Sequence, residues 1–397
     1  MTGPISVEDA RTQIVSSVPR MLIERASLEA ACDRRAAQMI LSASDLPSQD
    51  ISAMDGYAVK SSDPGQPRLI VGESAAGRPF SGTLQSGEAV RIFTGAHVPP
   101  GADAVVMQEL TTREGDFVAI DGTVARGANI RSAGSYLKKD EIVLDAGDLI
   151  QPSDIGVLAS MGRTHLDVFV RPRVAIISTG DELVDLGDSP ASTQIINSNG
   201  AMLAALVRSL GGIPLLFPVV RDVFGETKRA FERAAQTTDL VVSIGGVSVG
   251  DHDLAGKAIR DLATDVGFWK VRMKPGKPLT FGVTQTGTPM VGLPGNPMSA
   301  FVCFHQFVRP ALSVMMGGDD RLLTVDVATH TALHGASDRA VFVPGRLRVT
   351  AQGTVFDGPS RIDSGNIKQL VGVDSIAILP QGTGAVPPGS SVNVQVL

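Results

Sequence analysis

Residues 173–179 read RVAIIST, and residues 197–212 read NSNGAMLAALVRSLGG. The first stretch is a continuous apolar run typical of a buried strand, and the second has helical spacing and ends at two glycines. The alternation continues through IPLLFPVV, FGETKRAFERAAQ, DLVVSIGG and further segments to about residue 320. Strands that alternate with helices in this way predict a doubly wound parallel α/β sheet over residues 173–320.

The regions on either side of this sheet have a different texture. A helical pattern runs through ISVEDARTQIVSSV, a second helix is predicted from Leu28 to Leu41, and QPSDIGVLASMG returns to a helix. Between them lie short β-like runs broken by glycine and proline, and more short strands follow Gly318. We therefore predict an α/β multi-domain protein with four parts: a discontinuous N-terminal helical unit (1–45 with 141–172), a β-rich inserted domain (46–140), the α/β domain (173–320) and a small C-terminal β domain (321–397).

Composition excludes several classes of protein. The 397 residues carry a formal net charge of −6 and only 4% aromatic residues, so a nucleic-acid surface is not expected. The two cysteines lack CxxC spacing, which disfavours a disulfide framework and a zinc site. The most apolar long helix contains His305, Gln306 and Arg309, which predicts a core helix and no membrane span. We expect a soluble, cytoplasmic protein.

Four polar clusters follow predicted strands of the α/β domain. They are STGDELV with Glu182, SIGGVSVGDHD with Gly245, Gly246, Ser248 and Asp253, MKPGKPLTF with Lys274 and Lys277, and LPGNP with Pro294 and Pro297. Each cluster alone is compatible with an ordinary turn or helix start. Together they predict one cleft, because the carboxyl ends of parallel strands meet at one edge of a sheet.

The residue types in this cleft indicate an anionic ligand. Backbone amides of glycine-rich turns and lysine ammonium groups suit oxyanions and phosphates. Carboxylates beside a phosphate suit Mg²⁺, which prefers oxygen ligands. The residues themselves therefore favour a phosphorylated or nucleotide-like substrate, a second oxyanion and a hard metal ion.

The local sequence alone does not decide the roles of three residues in the β-rich region. Asp55 lies in an Asp-Gly turn, for which a plain hairpin is the simpler interpretation. Thr94 occupies another glycine-containing turn. Arg131 fits a bidentate phosphate contact and equally a surface ion pair.

Taken together, SAMDGYAV, IFTGAHVPPGADAVVMQE and the four clusters resemble the molybdopterin molybdenumtransferases, the MoeA-like family that is similar to the C-terminal domain of gephyrin. The resemblance runs in order from about Val7 to the C-terminus, and KPGKP and LPGNP are its most specific parts. It implies that the α/β domain is molybdopterin-binding-like. It also implies a reaction in which adenylylated molybdopterin receives molybdenum from molybdate and releases AMP, assisted by Mg²⁺.

By motif position, the resemblance implies roles for individual residues. The catalytic acids would be Asp55, Glu182, Asp222 and Asp253, with Asp55, Glu182 and Asp253 as metal ligands. The substrate-binding residues would be Thr94, Arg131, Gly245, Gly246, Ser248, Lys274, Lys277, Pro294 and Pro297.

The resemblance further implies a homodimer with its active site between subunits, so that Asp55 and Thr94 would face Lys274 across the interface. The chain departs from the family pattern at Gly134-Ser135-Tyr136 and at Asp140. It also has Pro344 where an arginine is expected, with Arg346 as a weak substitute.

Two other functions compete with this one. The first is adenylylation of molybdopterin, against which stand SIGGVSVGDHD in place of a TGGTG-like turn and the additional LPGNP. The second is a non-catalytic, gephyrin-like scaffold, which would be expected to lose the charged residues that this chain retains.

Overall fold

The computed structural model describes residues 3–63, 67–247, 253–351 and 353–397. The chain divides into two compact units. The first comprises Met1–Ala37, Gly147–Ile150 and Leu166–Leu397, and the second comprises Gln38–Ala146 and Gln151–His165.

The chain begins with a helix that belongs to the core of the first unit. Ser6 caps α1 (Val7–Ser17) by accepting a hydrogen bond from the Asp9 amide, and the helix buries Val7, Ala10 and Ile14. β1 (Ile23–Ser27) and α2 (Leu28–Ala31) follow.

The helix predicted from Leu28 to Leu41 is wrong beyond its first turn. Asp33 has a φ of 60°, which no helix accommodates, and Arg35 and Ala36 form bridges to Leu149 and Val168. Pairing with distant strands therefore overrides the local helical propensity of this stretch.

The second unit is β-rich, as predicted. Its elements are β2 (Ile40–Leu41), β3 (Ile51–Ser52), β4 (Gly56–Val59), β5 (Arg68–Ser74), β6 (Glu88–Ile92), β7 (Ala104–Met107), β8 (Thr111–Glu114), β9 (Phe117–Ile120), β10 (Ile130–Arg131), β11 (Ile142–Leu144) and α3 (Pro152–Ser160), with a 3₁₀ turn at Gln108–Leu110. Strands β7-β4-β6-β5-β9-β8 form one sheet in that order. Small clusters of Val, Ala and Ile side chains pack on it.

The α/β part of the first unit is built from alternating strands and helices. Its elements are β12 (His165–Phe169), β13 (Arg173–Ser178), β14 (Leu183–Val184), β15 (Ile195–Ile196), α4 (Ser198–Ser209), β16 (Ile213–Leu216), α5 (Phe224–Thr237), β17 (Leu240–Ile244), α6 (Leu254–Leu262), β18 (Ala263–Lys270), β19 (Met273–Lys274), β20 (Pro278–Thr284), β21 (Pro289–Leu293), α7 (Pro297–Cys303) and α8 (Arg309–Met315).

The main sheet has the order β16-β13-β17-β21-β20-β18. Its first four strands are parallel, as predicted, but β20 runs antiparallel to β21 and to β18. The sheet was predicted to be parallel, but it is a mixed sheet in which β20 is the antiparallel strand. Because β20 is reversed, its first residue lies at the same edge as the carboxyl ends of the parallel strands.

The long apolar helix that was predicted to contain His305, Gln306 and Arg309 is interrupted. A π-helix, Phe304–Val308, separates α7 from α8. Its Gln306 accepts two hydrogen bonds from the Arg11 guanidinium, one at the backbone oxygen and one at Oε1, and donates one to Gln395. These contacts join α1, the π-helix and the last strand of the chain.

The C-terminal region is a small barrel. Its elements are β22 (Thr324–Thr329), β23 (Leu333–His334), β24 (Ala340–Thr350), β25 (Gly353–Asp357), β26 (Ser375–Leu379), β27 (Ala385–Val386) and β28 (Ser391–Val396), with a 3₁₀ turn at Ile367–Leu370. Strands β24, β25, β22, β28 and β26 close on themselves through the β24–β26 pairing.

A division into four domains remains a prediction, since α1 and the C-terminal barrel share the core of the first unit with the α/β sheet. In the described part of the chain, no helix has the length and apolar character needed to span a bilayer.

Candidate active site

A cavity of about 700 Å³ lies at the carboxyl edge of the parallel strands. Residues that follow β13, β17 and β21 line it, together with Pro278 at the start of β20 and the first turn of α4. Ligand pockets have volumes of roughly 300–1,000 Å³, so a molecule of nucleotide size fits here. Among the sequence-predicted site residues, those that line this cavity are Glu182, Asp222, Gly245, Gly246, Pro294 and Pro297.

Glu182 and Asp222 reach the cavity from neighbouring strand ends. The bridge between Thr179 and Val220 joins the two segments, and the Asp222 amide donates to Oδ1 of Asp181 over 3.2 Å. Gly180 has a φ of 149°, and a Cβ there would lie 2.4 Å from a Glu182 carboxylate oxygen. Glycine at this position therefore makes room for the Glu182 side chain.

The glycine-rich turn after β17 forms the floor of the cavity. Gly245 has a φ of 84°, and a Cβ on it would lie 2.9 Å from the Thr179 carbonyl oxygen. A side chain at this position would strain the turn and displace the Thr179 strand end. Ser248, the third substrate-binding residue predicted in this motif, lies outside the described residues.

The first turn of α4 contributes groups that the sequence analysis missed. Oδ1 of Asn197 accepts hydrogen bonds from Ser178 Oγ and the Gly200 amide, so this side chain caps the helix. Asn199 donates to the Gly295 carbonyl, and Thr179 Oγ1 is buried with no partner among the described residues. The partial positive charge of the helix N-terminus favours an anion. The NSNG run at residues 197–200 is the capping signal that would have identified this turn.

The KPGKP turn presents its two lysines to solvent and buries its centre. Lys274 and Lys277 are exposed, whereas Pro275 and Gly276 are buried. The Cys303 thiol donates to the Gly276 carbonyl at 3.7 Å, and Lys274 pairs with Val341 through β19 and β24. The turn is thus fixed by α7 on one side and by the C-terminal barrel on the other. Neither lysine is among the cavity-lining residues, but the adjoining Pro278 is.

The LPGNP turn connects the cavity to the C-terminal region. Asn296 donates to Ser364 Oγ over 3.0 Å, and the Met298 amide donates to the Ser364 carbonyl. Gly365 and Ile367, from the same loop, line the cavity. No local pattern marks these two residues, because a contact between positions 296 and 364 depends on the tertiary fold.

Asp253 occupies a different environment. Its side chain is buried and pairs with Nη2 of Arg260 at 3.0 Å. Burial raises the pKa of this carboxyl, while Arg260 opposes the shift. The residue precedes α6 and is not among the lining residues, so its assignment as a catalytic acid and metal ligand stays a prediction.

Asp55 and Thr94 lie together in the second unit. Oδ1 of Asp55 accepts from the Thr94 amide at 2.7 Å and from the Thr94 hydroxyl at 2.8 Å. These bonds hold the pKa of Asp55 below its ordinary value, so the exposed group is ionised at neutral pH. The Asp-Gly turn therefore presents a fixed carboxylate at the surface of its unit.

Two arginines have local partners. Arg131 donates to the Tyr136 hydroxyl over 2.7 Å and lies against the Tyr136 ring. Tyr136 belongs to the Gly134-Ser135-Tyr136 stretch, where the chain departs from the family pattern. Arg346 donates to the Val371 carbonyl, Pro344 is buried in β24, and neither lines the cavity.

Among the described residues, no three His, Cys, Asp or Glu side chains form a group that would hold a metal ion by themselves. Of the residues that the structure describes, Glu182 and Asp222 are the acids that line the cavity.

Comparison with known proteins agrees with this architecture. A family model described as the MoeA N-terminal region, domains I and II, matches residues 5–162, and one described as a probable molybdopterin binding domain matches residues 175–314. A structure of a molybdopterin biosynthesis MoeA protein from Pyrococcus horikoshii superimposes with a TM-score of 0.86 at 28% identity, covering 99% of both chains.

Proteins named molybdopterin molybdenumtransferase are similar over most of the sequence. The one from Nostoc sp. is 37% identical and the alignment covers 98% of this chain and 93% of the relative. The one from Haemophilus influenzae is 38% identical over 79% of this chain and 78% of its own length. The one from Staphylococcus aureus is 32% identical over 99% of this chain and 95% of its own length. The chain therefore belongs to the molybdopterin molybdenumtransferase (MoeA) family.

Proposed function

We propose that this chain inserts molybdenum into adenylylated molybdopterin, using molybdate and releasing AMP. One observation carries the proposal: a single cavity combines two acids, a glycine-rich turn and a helix N-terminus. This combination suits a ligand with phosphate groups beside an oxyanion.

The residues of the cavity and of the adjoining KPGKP turn divide the task between binding and charge control. The α4 N-terminus and the glycine-rich turn would hold the phosphate groups through backbone amides. Lys274 and Lys277 would attract molybdate and stabilise negative charge on the phosphoanhydride oxygens as AMP leaves. Glu182 and Asp222 would orient the attacking oxyanion or hold a metal ion.

Magnesium fits this donor set. Mg²⁺ is usually held by one or two carboxylates together with substrate phosphates, and Glu182 and Asp222 offer two carboxylates on one wall. When bound, the ion would neutralise charge on the phosphate oxygens. In this proposal Asp55, Asp253 and Glu182 do not have to form one preformed metal site. Asp55 and Asp253 instead act on the ligand from their separate positions.

We further propose a homodimer in which Asp55 and Thr94 of one subunit complete the cavity of the other. The fixed, ionised Asp55 carboxylate supports this, because an exposed acid held by two hydrogen bonds is ready to meet a ligand. The cytoplasm is the proposed compartment, in keeping with two free cysteines.

Substitution of the cavity acids tests the proposal. Glu182→Gln and Asp222→Asn are expected to slow AMP release by at least about a hundredfold, the usual scale for losing one charge-stabilising group. Asp188→Asn, an exposed acid outside the lining set, is the matched control and is expected to retain wild-type rates. AMP is measured by chromatography after mixing protein, adenylylated molybdopterin, molybdate and Mg²⁺, with a parallel reaction in a chelator. Wild-type rates in both cavity variants would contradict the proposal.

A further inference from the structure

A second cavity, of about 540 Å³, lies in the first unit and shares no lining residue with the candidate active site. It is formed around the last turn of α4, at Arg208 and Ser209, whereas the candidate active site adjoins the first turn of the same helix. A helix of 12 residues is about 18 Å long, so the two cavities lie at opposite ends of α4.

The second cavity is rich in arginine. Its charged lining residues are Arg34, Arg35, Arg171, Arg208, Arg309 and Arg321, against Asp33 and Asp319. The chain as a whole carries a formal net charge of −6. Six guanidinium groups around one cavity are a local concentration of positive charge in an otherwise acidic protein. Such a concentration suggests a functional or structural role.

Several of these guanidinium groups are fixed by carbonyl oxygens. Arg34, with a side chain only 9% exposed, donates to the Phe169 carbonyl, and its Nε has no partner among the described residues. Arg35 donates to the Gly147 carbonyl at 2.7 Å, and Arg309 donates to the Val396 carbonyl at 3.2 Å. Burial lowers the pKa of Arg309. A carbonyl oxygen orients a guanidinium but leaves its charge uncompensated.

Carboxylates neutralise only part of this charge. Arg34 pairs with Glu24 and Arg321 pairs with Asp319, but within the described residues no carboxylate lies within salt-bridge distance of the remaining four arginines. The C-termini of α4 and α8 also end here, and each contributes about half a negative charge. Three carboxylates (Glu24, Asp33 and Asp319) and two helix ends do not balance six guanidinium groups, so the cavity remains positive.

The wall between the arginines is apolar. It is formed by Leu149, Phe169, Leu210, Pro310, Met316 and Leu322. Guanidinium groups form paired hydrogen bonds with phosphate oxygens, and apolar walls suit the organic part of a ligand. We propose that this cavity binds a small organic phosphate, with its phosphate on the arginines and its apolar body against Phe169 and its neighbours.

The alternative is a structural role in which these arginines only neutralise the two helix ends. The two explanations differ at Arg171 and Arg208, which are partly or fully exposed and have no side-chain hydrogen bond or ion pair within the described chain. A role in ligand binding requires their side chains for affinity. A structural role requires them only for stability.

The test is isothermal titration calorimetry of the full chain with phenyl phosphate in a phosphate-free, low-salt buffer. We expect saturable binding that is tighter than that of inorganic phosphate, which lacks an apolar body. Arg171→Ala/Arg208→Ala is expected to weaken phenyl phosphate binding at least tenfold. Arg20→Ala/Arg25→Ala removes the same charge from exposed positions outside the cavity and is expected to bind as wild type.

A third variant separates the two cavities. Lys274→Ala/Lys277→Ala lies outside the second cavity and is expected to retain phenyl phosphate binding. The proposal is overturned if the wild type does not bind, if both arginine pairs weaken binding equally, or if only the lysine pair weakens it. It is also overturned if Arg171→Ala/Arg208→Ala lowers the melting temperature but leaves the affinity unchanged.

Discussion

At the scale of single residues, burial and hydrogen bonding set the charge states around the core and the site. His305 is 4% exposed, and neither ring nitrogen has a hydrogen-bond partner among the described residues. Burial, with a smaller contribution from Arg309, lowers its pKa to about 3. The imidazole is therefore neutral in the folded protein at neutral pH, and its ring centroid lies 4.5 Å from that of Phe301.

This histidine predicts a loss of stability in acid. Between about pH 6.5 and pH 3, the unfolded chain binds a proton at His305 that the folded chain does not, so the free energy of unfolding falls as the pH is lowered. The expected slope from this group is about 1.4 kcal/mol per pH unit. Urea denaturation at pH 7, 6 and 5 measures it. His305→Leu is expected to flatten the acid side of the profile, and an unchanged slope in that variant would refute the assignment.

At the scale of elements, the KPGKP turn illustrates how a short motif depends on its surroundings. The sequence places two lysines beside prolines and a glycine, and in the structure both lysines are exposed while Pro275 and Gly276 are buried. The sequence does not predict that Cys303 and the barrel strand β24 hold the turn, because both contacts are made by residues far along the chain.

Gly276→Ala is expected to damage this turn. Gly276 has a φ of 104°, and a Cβ there would lie 2.4 Å from the Cys303 sulfur. Backbone strain costs roughly 1–3 kcal/mol and overpacking typically adds about as much. The variant should therefore lose stability in urea denaturation and, because both lysines shift, lose AMP release.

Gly287→Ala provides the matched control for this substitution. Its φ is 85°, and nothing lies within 4 Å of a Cβ built there. It is expected to show the backbone cost alone and to retain AMP release. Equal losses in the two variants would show that the contact with Cys303 is unimportant.

At the scale of the whole molecule, the sequence predicted the fold class better than it predicted strand direction and the exact extent of the helices. The α/β multi-domain character is confirmed by the sheets of the structure. The reversal of β20, the π-helix at Phe304–Val308 and the end of the second helix at Ala31 were not predicted. Each depends on pairing or packing between distant segments, which no local periodicity records.

The candidate site shows the same limit. Glycine-rich turns and acids at strand ends were visible as motifs, and the strand order then brings Glu182, Asp222 and Gly245 to one cavity. Ile367 belongs to no motif, and Thr179 lies in STGDELV but was not singled out as a site residue, so their positions in the cavity follow only from the fold.

If each active site is built from residues of both subunits, two different inactive variants should complement each other. If Asp55 acts in the cavity of its partner, inactive Asp55→Ala and Glu182→Gln proteins should regain roughly a quarter of wild-type AMP release when they exchange subunits, since half of the dimers are mixed and each has one intact site. Sites built within one subunit would give no recovery. The mixture is compared with each variant alone after subunit exchange is verified by native mass spectrometry.

Molybdenum transfer itself is the most direct test of the proposed function. The full chain is incubated with adenylylated molybdopterin, molybdate and Mg²⁺, the pterin is isolated, and its molybdenum content is measured beside the AMP released. The proposed function predicts that pterin-bound molybdenum and AMP appear together in equal amounts with the wild type, and that both are lost with Glu182→Gln. Release of AMP without molybdenum on the pterin, or equal transfer by the variant, would contradict it.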